Sequence, residues 1–300
     1  MDVLQEHLAR ARASGGVFAR SVARPPWGLR LPGTIQLAVH AVVRGSAWIW
    51  LDDPDAAIQL VPGDVALVRG GPDHHVAHDA GAACLGHEEF VGLQAAEPQP
   101  DDGQATVFLC GAYRFSGDVG RGLLDALSPI MHLPTVPDDR LTTAVGLLAR
   151  ELAVSEPGQQ TVLDRLLDVV LVYAMRRALD RGGDSPRWFR AAGDPRLGPA
   201  LRAIHSDPGH HWTVTELASL SGLSRAAFAR AFQQALDQAP MQYLTDWRMT
   251  LARDQLRAGD LTLTEIADRT GYASQYAFAT AFRRHHGVPP GRWRQAHSLA

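Results

Sequence analysis

Thr264–Pro290 reads TEIADRTGYASQYAFATAFRRHHGVPP: two short stretches with helical spacing, parted by a Gly-Tyr-Ala-Ser break and closed by a proline pair. Upstream, Thr215–Pro240 reads TELASLSGLSRAAFARAFQQALDQAP and is its sibling. Thr215, Glu216, Ala218 and Gly222 recur 49 residues later as Thr264, Glu265, Ala267 and Gly271. Beyond a one-residue insertion the offset becomes 50, taking Ser224, Phe228, Phe232 and Pro240 to Ser274, Phe278, Phe282 and Pro290. Two copies are too few for a solenoid, which stacks at least three. The repeat predicts a duplicated compact unit.

Each copy carries its own helix punctuation. Thr213 and Thr262 stand three residues before Glu216 and Glu265, the capping-box spacing that satisfies amides at a helix start. Gly222 and Gly271 fall where a helix ends in the left-handed region. Ser224 and Ser274 are placed to cap the next helix. The phenylalanine pairs at i, i+4 bury one side of that helix and leave the other free. A short helix, a Gly turn and a second helix with an uncommitted face predict a helix-turn-helix whose second helix enters a major groove. The plain alternative is a helical hairpin that only packs. The duplication argues against it, as do Arg225 and Arg230 on one free face and Arg283 and Arg284 on the other.

These residues carry a family resemblance. Residues 194 to 297 resemble the DNA-binding domain of the AraC/XylS transcription regulators, most closely over TEIADRTGYASQYAFATAFRRHHGVPPGRWR. Met241–Asp260 falls where that family has a long helix joining two helix-turn-helix units. Asp237 departs from Gly287, its counterpart in the second copy; Asp tolerates the left-handed region, so no change of fold is expected. Carried over position by position, the resemblance implies DNA contacts from Arg225, Ala226 and Arg230 in the first recognition helix. Gln275, Tyr276 and Thr280 are their counterparts in the second, with Ser224, Ser274 and Arg283 nearer phosphate. It also implies contact with RNA polymerase, as an activator makes.

Composition fits a regulator of this kind. At 46% hydrophobic, three hundred residues bury two ordinary cores, so two domains are expected. With no run of eighteen apolar residues and no signal-peptide pattern, a cytoplasmic protein with no membrane partner is expected. MDVLQEHLARARASGG at the start mixes charged and apolar residues as a short surface helix does. Cys84 and Cys110 are too few for a secreted disulfide framework. All 29 basic residues are Arg. From Asp194 onward 12 Arg face 9 acids, leaving 17 Arg and 23 acids upstream; the basic end suits DNA and the acidic end does not.

The first half has another texture. Ile35–Leu51 alternates around an Arg-Gly-Ser turn like a strand pair, Ala56–Asp79 adds two short strands around Pro-Gly-Asp, and Ala105–Phe115 adds another. Short turn-punctuated strands predict a small barrel or jelly roll. PGDVALVRGGPDHH resembles the second motif of the cupin sensor domain found in one branch of these regulators, with Gly63, Gly71 and His74 in place and Arg69 where proline is usual.

Cupin barrels often hold metal through histidines. His40, His74 and His78, with Cys110 as a further donor, form a chemically reasonable zinc or iron set, because His74 and His78 share a strand face while His75 points away. The first cupin metal motif is missing around His40, which favours pocket-lining or core histidines over a metal site, with His40, His74 and Cys110 as the candidate effector-pocket residues. Cys84 and Cys110 are candidates for a redox pair, against the commoner buried inert thiol.

Between the halves, Leu141, Val145, Leu148 and Leu152 form one helical stripe; Leu163, Leu166, Leu167, Val170 and Ala174 form another. The second helix also carries Val169, Leu171, Val172 and Tyr173, so its apolar surface exceeds one face. Burial on two sides, one against a second copy, accounts for that width and predicts a homodimer. The expected architecture is α+β: a cupin-like sensor barrel (1–137), a helical dimerisation segment (138–181), a linker (182–193) and a double helix-turn-helix domain (194–300). The expected function is sequence-specific transcription regulation in answer to a small-molecule or redox signal. Two alternatives stand beside it: a metal-dependent cupin enzyme with an accessory DNA-binding domain, and a constitutive DNA-binding protein whose barrel is a scaffold.

Overall fold

The computed structural model describes residues 3–11, 14–100, 103–180 and 185–297. In chain order its elements are α1 (Val3–Arg10), β1 (Ser14–Ala23), β2 (Gly28–Leu31), β3 (Leu37–Arg44), β4 (Ala47–Trp50), β5 (Ile58–Leu60), β6 (Val65–Arg69), β7 (His74–Ala77), β8 (Leu85–Gly86), α2 (His87–Ala96) and β9 (Thr106–Arg114). There follow α3 (Gly117–Asp125), β10 (Ile130–Leu133), α4 (Arg140–Glu151), α5 (Gln159–Leu179), α6 (Arg187–Gly193), α7 (Gly198–Ser206), α8 (Val214–Leu220) and α9 (Arg225–Leu236). The last are α10 (Pro240–Ala258), α11 (Leu263–Arg269), α12 (Gln275–His286) and α13 (Pro290–His297).

The chain folds as two compact units that alternate along the sequence. Ala13–Phe115 and Leu124–Gly183 form one; Met1–Arg12, Ser116–Leu123 and Asp184–Ala300 form the other. The boundaries expected from the sequence ran in simple order, whereas α1 and the start of α3 join the C-terminal helices.

In the first unit the strands divide into two five-stranded sheets, ordered β1-β9-β3-β6-β10 and β5-β4-β7-β2-β8. Ala38, Val42, Ala66, Val68 and Phe108 of the first share a core with Leu29, Ile49, Leu60 and Val76 of the second. Trp27 stacks on Phe108 at 4.7 Å within that core. The expected strand pair at Ile35–Leu51 is not a hairpin. Gly45, at φ +78, turns the chain so that β3 pairs with β6 and β9 while β4 pairs with β5 and β7. β3 is buried at six successive positions, because α4 covers the face turned away from the inner core. Tyr113 ties α5 to the same unit by donating its hydroxyl to the Leu167 carbonyl at 2.7 Å.

The second unit holds two cores threaded on one helix. Leu217, Phe228, Phe232, Leu244, Trp247 and Leu251 belong to the first; Met249, Ala252, Leu256, Ile266, Phe278 and Phe282 to the second. α10 serves both because its 19 residues, about 28 Å at 1.5 Å per residue, turn one stripe to each. Both capping boxes form at Thr213/Glu216 and Thr262/Glu265. Gly222 and Gly271 adopt positive φ, as does Asp237, so the Asp-for-Gly exchange leaves the helix end intact.

α1 is not a surface helix. Val3, Leu4, Glu6 and His7 are buried, Val3 joins the first core, and His7 stacks on Trp188 at 4.3 Å beside His205 and Trp247. A short amphipathic pattern tells that a face is covered but not by what. At α3, Val119 enters the same core and Asp118 is nearly sealed, 2.7 Å from Arg253 Nε and 3.1 Å from Arg257 Nη2.

Candidate DNA interface and sensor cavity

α9 and α12 begin alike. Ser224 Oγ accepts the Ala227 amide and Ser274 Oγ the Ala277 amide, each at 3.2 Å, removing one orphan donor per helix. Phe228, Phe232, Phe278 and Phe282 are fully buried, which fixes the rotation of both helices. The opposite faces are then set. Arg225, Ala226 and Arg230 are exposed on α9, and their counterparts 50 residues on are Gln275, Tyr276 and Thr280. Tyr276 is 77% exposed, whereas Gln275 is half-buried with its Oε1 3.4 Å from Thr264 Oγ1. Ser224, Ser274 and Arg283 are exposed at the edges of these faces.

In the first unit, β3, β7 and β9 bring together three of the predicted residues. His40 Nδ1 lies 2.8 Å from Cys110 Sγ and His40 Nε2 lies 2.9 Å from His74 Nε2. Burial holds His40 neutral, with His74 adding to the effect, and takes His74 down to about 4, with His75 adding to it. Burial pushes the Cys110 thiol up. With every member uncharged, both contacts are satisfied in either sense: S–H donates to Nδ1 and Nε2–H to His74, or Nδ1–H donates to sulfur and His74 Nε2–H to His40 Nε2. A polar chain thus crosses from one sheet to the other inside an apolar core.

The metal expectation does not survive this geometry. Cys110 and His74 address opposite ring nitrogens of His40, so an ion held by one nitrogen is out of reach of the residue at the other. His78 stands apart: β7 ends at Ala77, the strand alternation stops there, and His78 Nδ1 lies 2.6 Å from the Trp27 carbonyl. Among the described residues no three His, Cys, Asp or Glu side chains converge as a metal site requires. The residues present do not fit zinc or iron.

Cys110 has a second neighbour, a half-open cavity of about 690 Å³. Its floor includes Ala19, Leu29, Leu31, Cys110 and Ala112, and Phe90 of α2 closes one side. Arg30, Arg114 and Glu88 stand at its edge, Arg30 within 3.5 Å of Asp73. His40 and His74 do not line it; they stand behind Cys110. Sequence reasoning missed α2 and the rim because nothing in HEEFVGLQAA marks a cavity wall beyond one buried aromatic residue. Cys84 is a free thiol, raised by burial, with its Sγ 3.3 Å from the Ala82 carbonyl; Cys110 is free as well.

Comparison with known proteins matches residues 2–180 to a cupin family and residues 217–296 to a helix-turn-helix domain family. A putative AraC-like transcription regulator of Streptomyces antibioticus is 31% identical over 98% of this chain and 99% of its own. The chain belongs to the AraC-like transcription regulators. Another relative is the HTH-type transcriptional regulator AlkR of Acinetobacter baylyi, 28% identical over 90% of this chain and 91% of its own. A solved structure, the DNA-binding domain of AdpA in complex with a target DNA, is 31% identical with a TM-score of 0.32, over 34% of this chain and 92% of its own. In this chain a cupin sensor domain precedes a DNA-binding helix-turn-helix domain. No helix among the described residues is long and apolar enough to cross a membrane.

Proposed function

We propose that this regulator reads two half-sites of a promoter with α9 and α12 and answers an effector held in the cavity beside Cys110. The observation that carries it is the pair of capped helices whose buried phenylalanines turn equivalent trios outward, exposed at every position but the half-buried Gln275. Arg225 and Arg230 are the exposed residues on α9 with a guanidinium fork; we assign the bidentate guanine contact to Arg230, because Ala226 and Ala229 around it offer no hydrogen bonds and Arg225 stands at the first residue of the helix. Tyr276, Gln275 and Thr280 read bases through α12; Ser224, Ser274 and Arg283 hold phosphates. Exposed Val162 and Val169 on α5, with Leu147 on α4, support a homodimer through that face. The dimer works in the cytoplasm and acts through RNA polymerase.

The enzyme reading has less support, because its metal donors do not converge; the protein serves as a regulator without zinc or iron. Purified protein carrying one zinc or iron per chain would reverse that. The main reading is tested by selecting duplexes from a random library with the full chain and titrating the winners by fluorescence anisotropy. Affinity should fall steeply with salt as Arg–phosphate contacts release counterions. Binding that ignores salt, or no selected sequence, would overturn it.

A further inference from the structure

The two cores of the DNA-binding unit have no side chain in common. What joins them is α10, and beside α10 there is a second tie. Arg248 sits between the two stripes of that helix. Its Nε donates to the Pro208 carbonyl at 2.7 Å and its Nη2 to the His210 carbonyl at 2.8 Å, which pins the loop leading into α8. The same guanidinium lies over the ring of Tyr272, 5.9 Å from the centroid, in the turn between α11 and α12.

The backbones meet at the same place. A Cβ on Gly271, whose φ is +72, would collide with Arg248 Nη2 and lie 2.5 Å from the Gly209 carbonyl. A Cβ on Gly209 would come 3.2 Å from the Arg269 carbonyl. The loop entering the first helix-turn-helix therefore touches the turn of the second, with one planar cation bonded to one side and within cation–π reach of the other. Lysine does not replace it: an ammonium lacks the planar fork whose separate nitrogens reach two carbonyls while the guanidinium carbon stays near a ring.

We infer that Arg248 is a positioning residue that fixes the distance and rotation between α9 and α12, and so the half-site spacing the protein accepts. This rests on the reading that α9 and α12 engage successive half-sites. One added base pair moves a half-site by about 3.4 Å and turns it by roughly 35°. A joint held by backbone contact and a bidentate cation cannot follow that without breaking.

The test uses the full chain and a duplex selected from a random library, lengthened or shortened by one base pair between its halves. Wild type should lose about tenfold or more in affinity on either change, and Arg248→Ala less than about threefold. Arg248→Lys should relax the preference in the same way. Tyr272→Leu, which keeps both carbonyl bonds, should relax it less. Circular dichroism reports folding; should Arg248→Ala fail to fold, the lysine and Tyr272 variants decide. A folded Arg248 variant that keeps the wild-type spacing preference overturns the inference. Wild type indifferent to spacing overturns instead the two-half-site reading beneath it.

Discussion

Asp254 of α10 accepts the backbone amides of Asp118 at 2.5 Å and Val119 at 3.2 Å, capping α3 from a helix 135 residues away in the chain. α3 begins at Gly117, three residues after β9, the strand that carries Cys110. Losing a cap of this kind costs about 1–2 kcal/mol, so Asp254→Ala should lower urea stability by that amount. Asp118→Ala should cost about 2 kcal/mol or more, because it strips Arg253 and Arg257 of a nearly sealed carboxylate. Unchanged midpoints in both would show that α3 is not held there.

Arg230 and Arg283 should separate base reading from phosphate binding. Arg230→Ala should cost about 1–3 kcal/mol on the selected duplex and relax preference within one half-site. Arg283→Ala should weaken selected and scrambled duplexes alike. Anisotropy on both sequences distinguishes them; equal losses everywhere would make Arg230 a backbone contact.

The histidine chain makes stability depend on pH in a definite direction. His74 has a folded value of about 4 against 6.5, so below 6.5 the unfolded chain takes up a proton the folded one refuses. Its contribution is complete above 6.5 and is lost as pH falls toward 4, by about 2 kcal/mol at pH 5. His40, lowered further, acts in the same direction, as do His7 and His205 in the other unit. Melting temperatures from pH 7.5 to 5 should fall, and the slope should be shallower in His74→Phe. A flat profile would contradict the buried neutral chain.

At Cys110, Ser and Val should differ. Serine keeps a hydrogen-bond partner for His40 Nδ1 in either sense, whereas Cys110→Val leaves that nitrogen without a partner at a cost of about 1–3 kcal/mol. Ala112→Phe should fill the cavity beside it and abolish the transcriptional response in a reporter strain while effector-free DNA affinity holds. If the response survives a filled cavity, the effector binds elsewhere.

The α5 face gives an association test. Val169→Glu, alone or with Val162→Glu, should convert a dimer into a monomer in sedimentation at micromolar concentration. A wild-type monomer at that concentration would remove the two-sided burial argument for α5.

The DNA-binding helices were legible because caps, Gly turns and phenylalanine spacing are local and occur twice. His40, His74 and Cys110 were legible as neighbours because strands alternate regularly enough to turn them to the facing inner sides of the two sheets. His78 was not, since alternation fails once β7 ends at Ala77. The β3–β4 turn read as joining a strand pair because Arg-Gly-Ser fixes local geometry but says nothing about which sheet each strand joins. The covering of α1 and the joint at Arg248 depend on residues far apart in the chain, and no local periodicity announces them.

The alternation of the two compact units has a consequence for inheritance. Four boundaries, not one, separate sensor from reader along the gene. A single crossover near residue 183 would leave Val3 and Val119 with the wrong partner and strip the reader's first core of both. Exchange of sensors between such genes would have to leave α1 and the start of α3 with the reader whose core they enter.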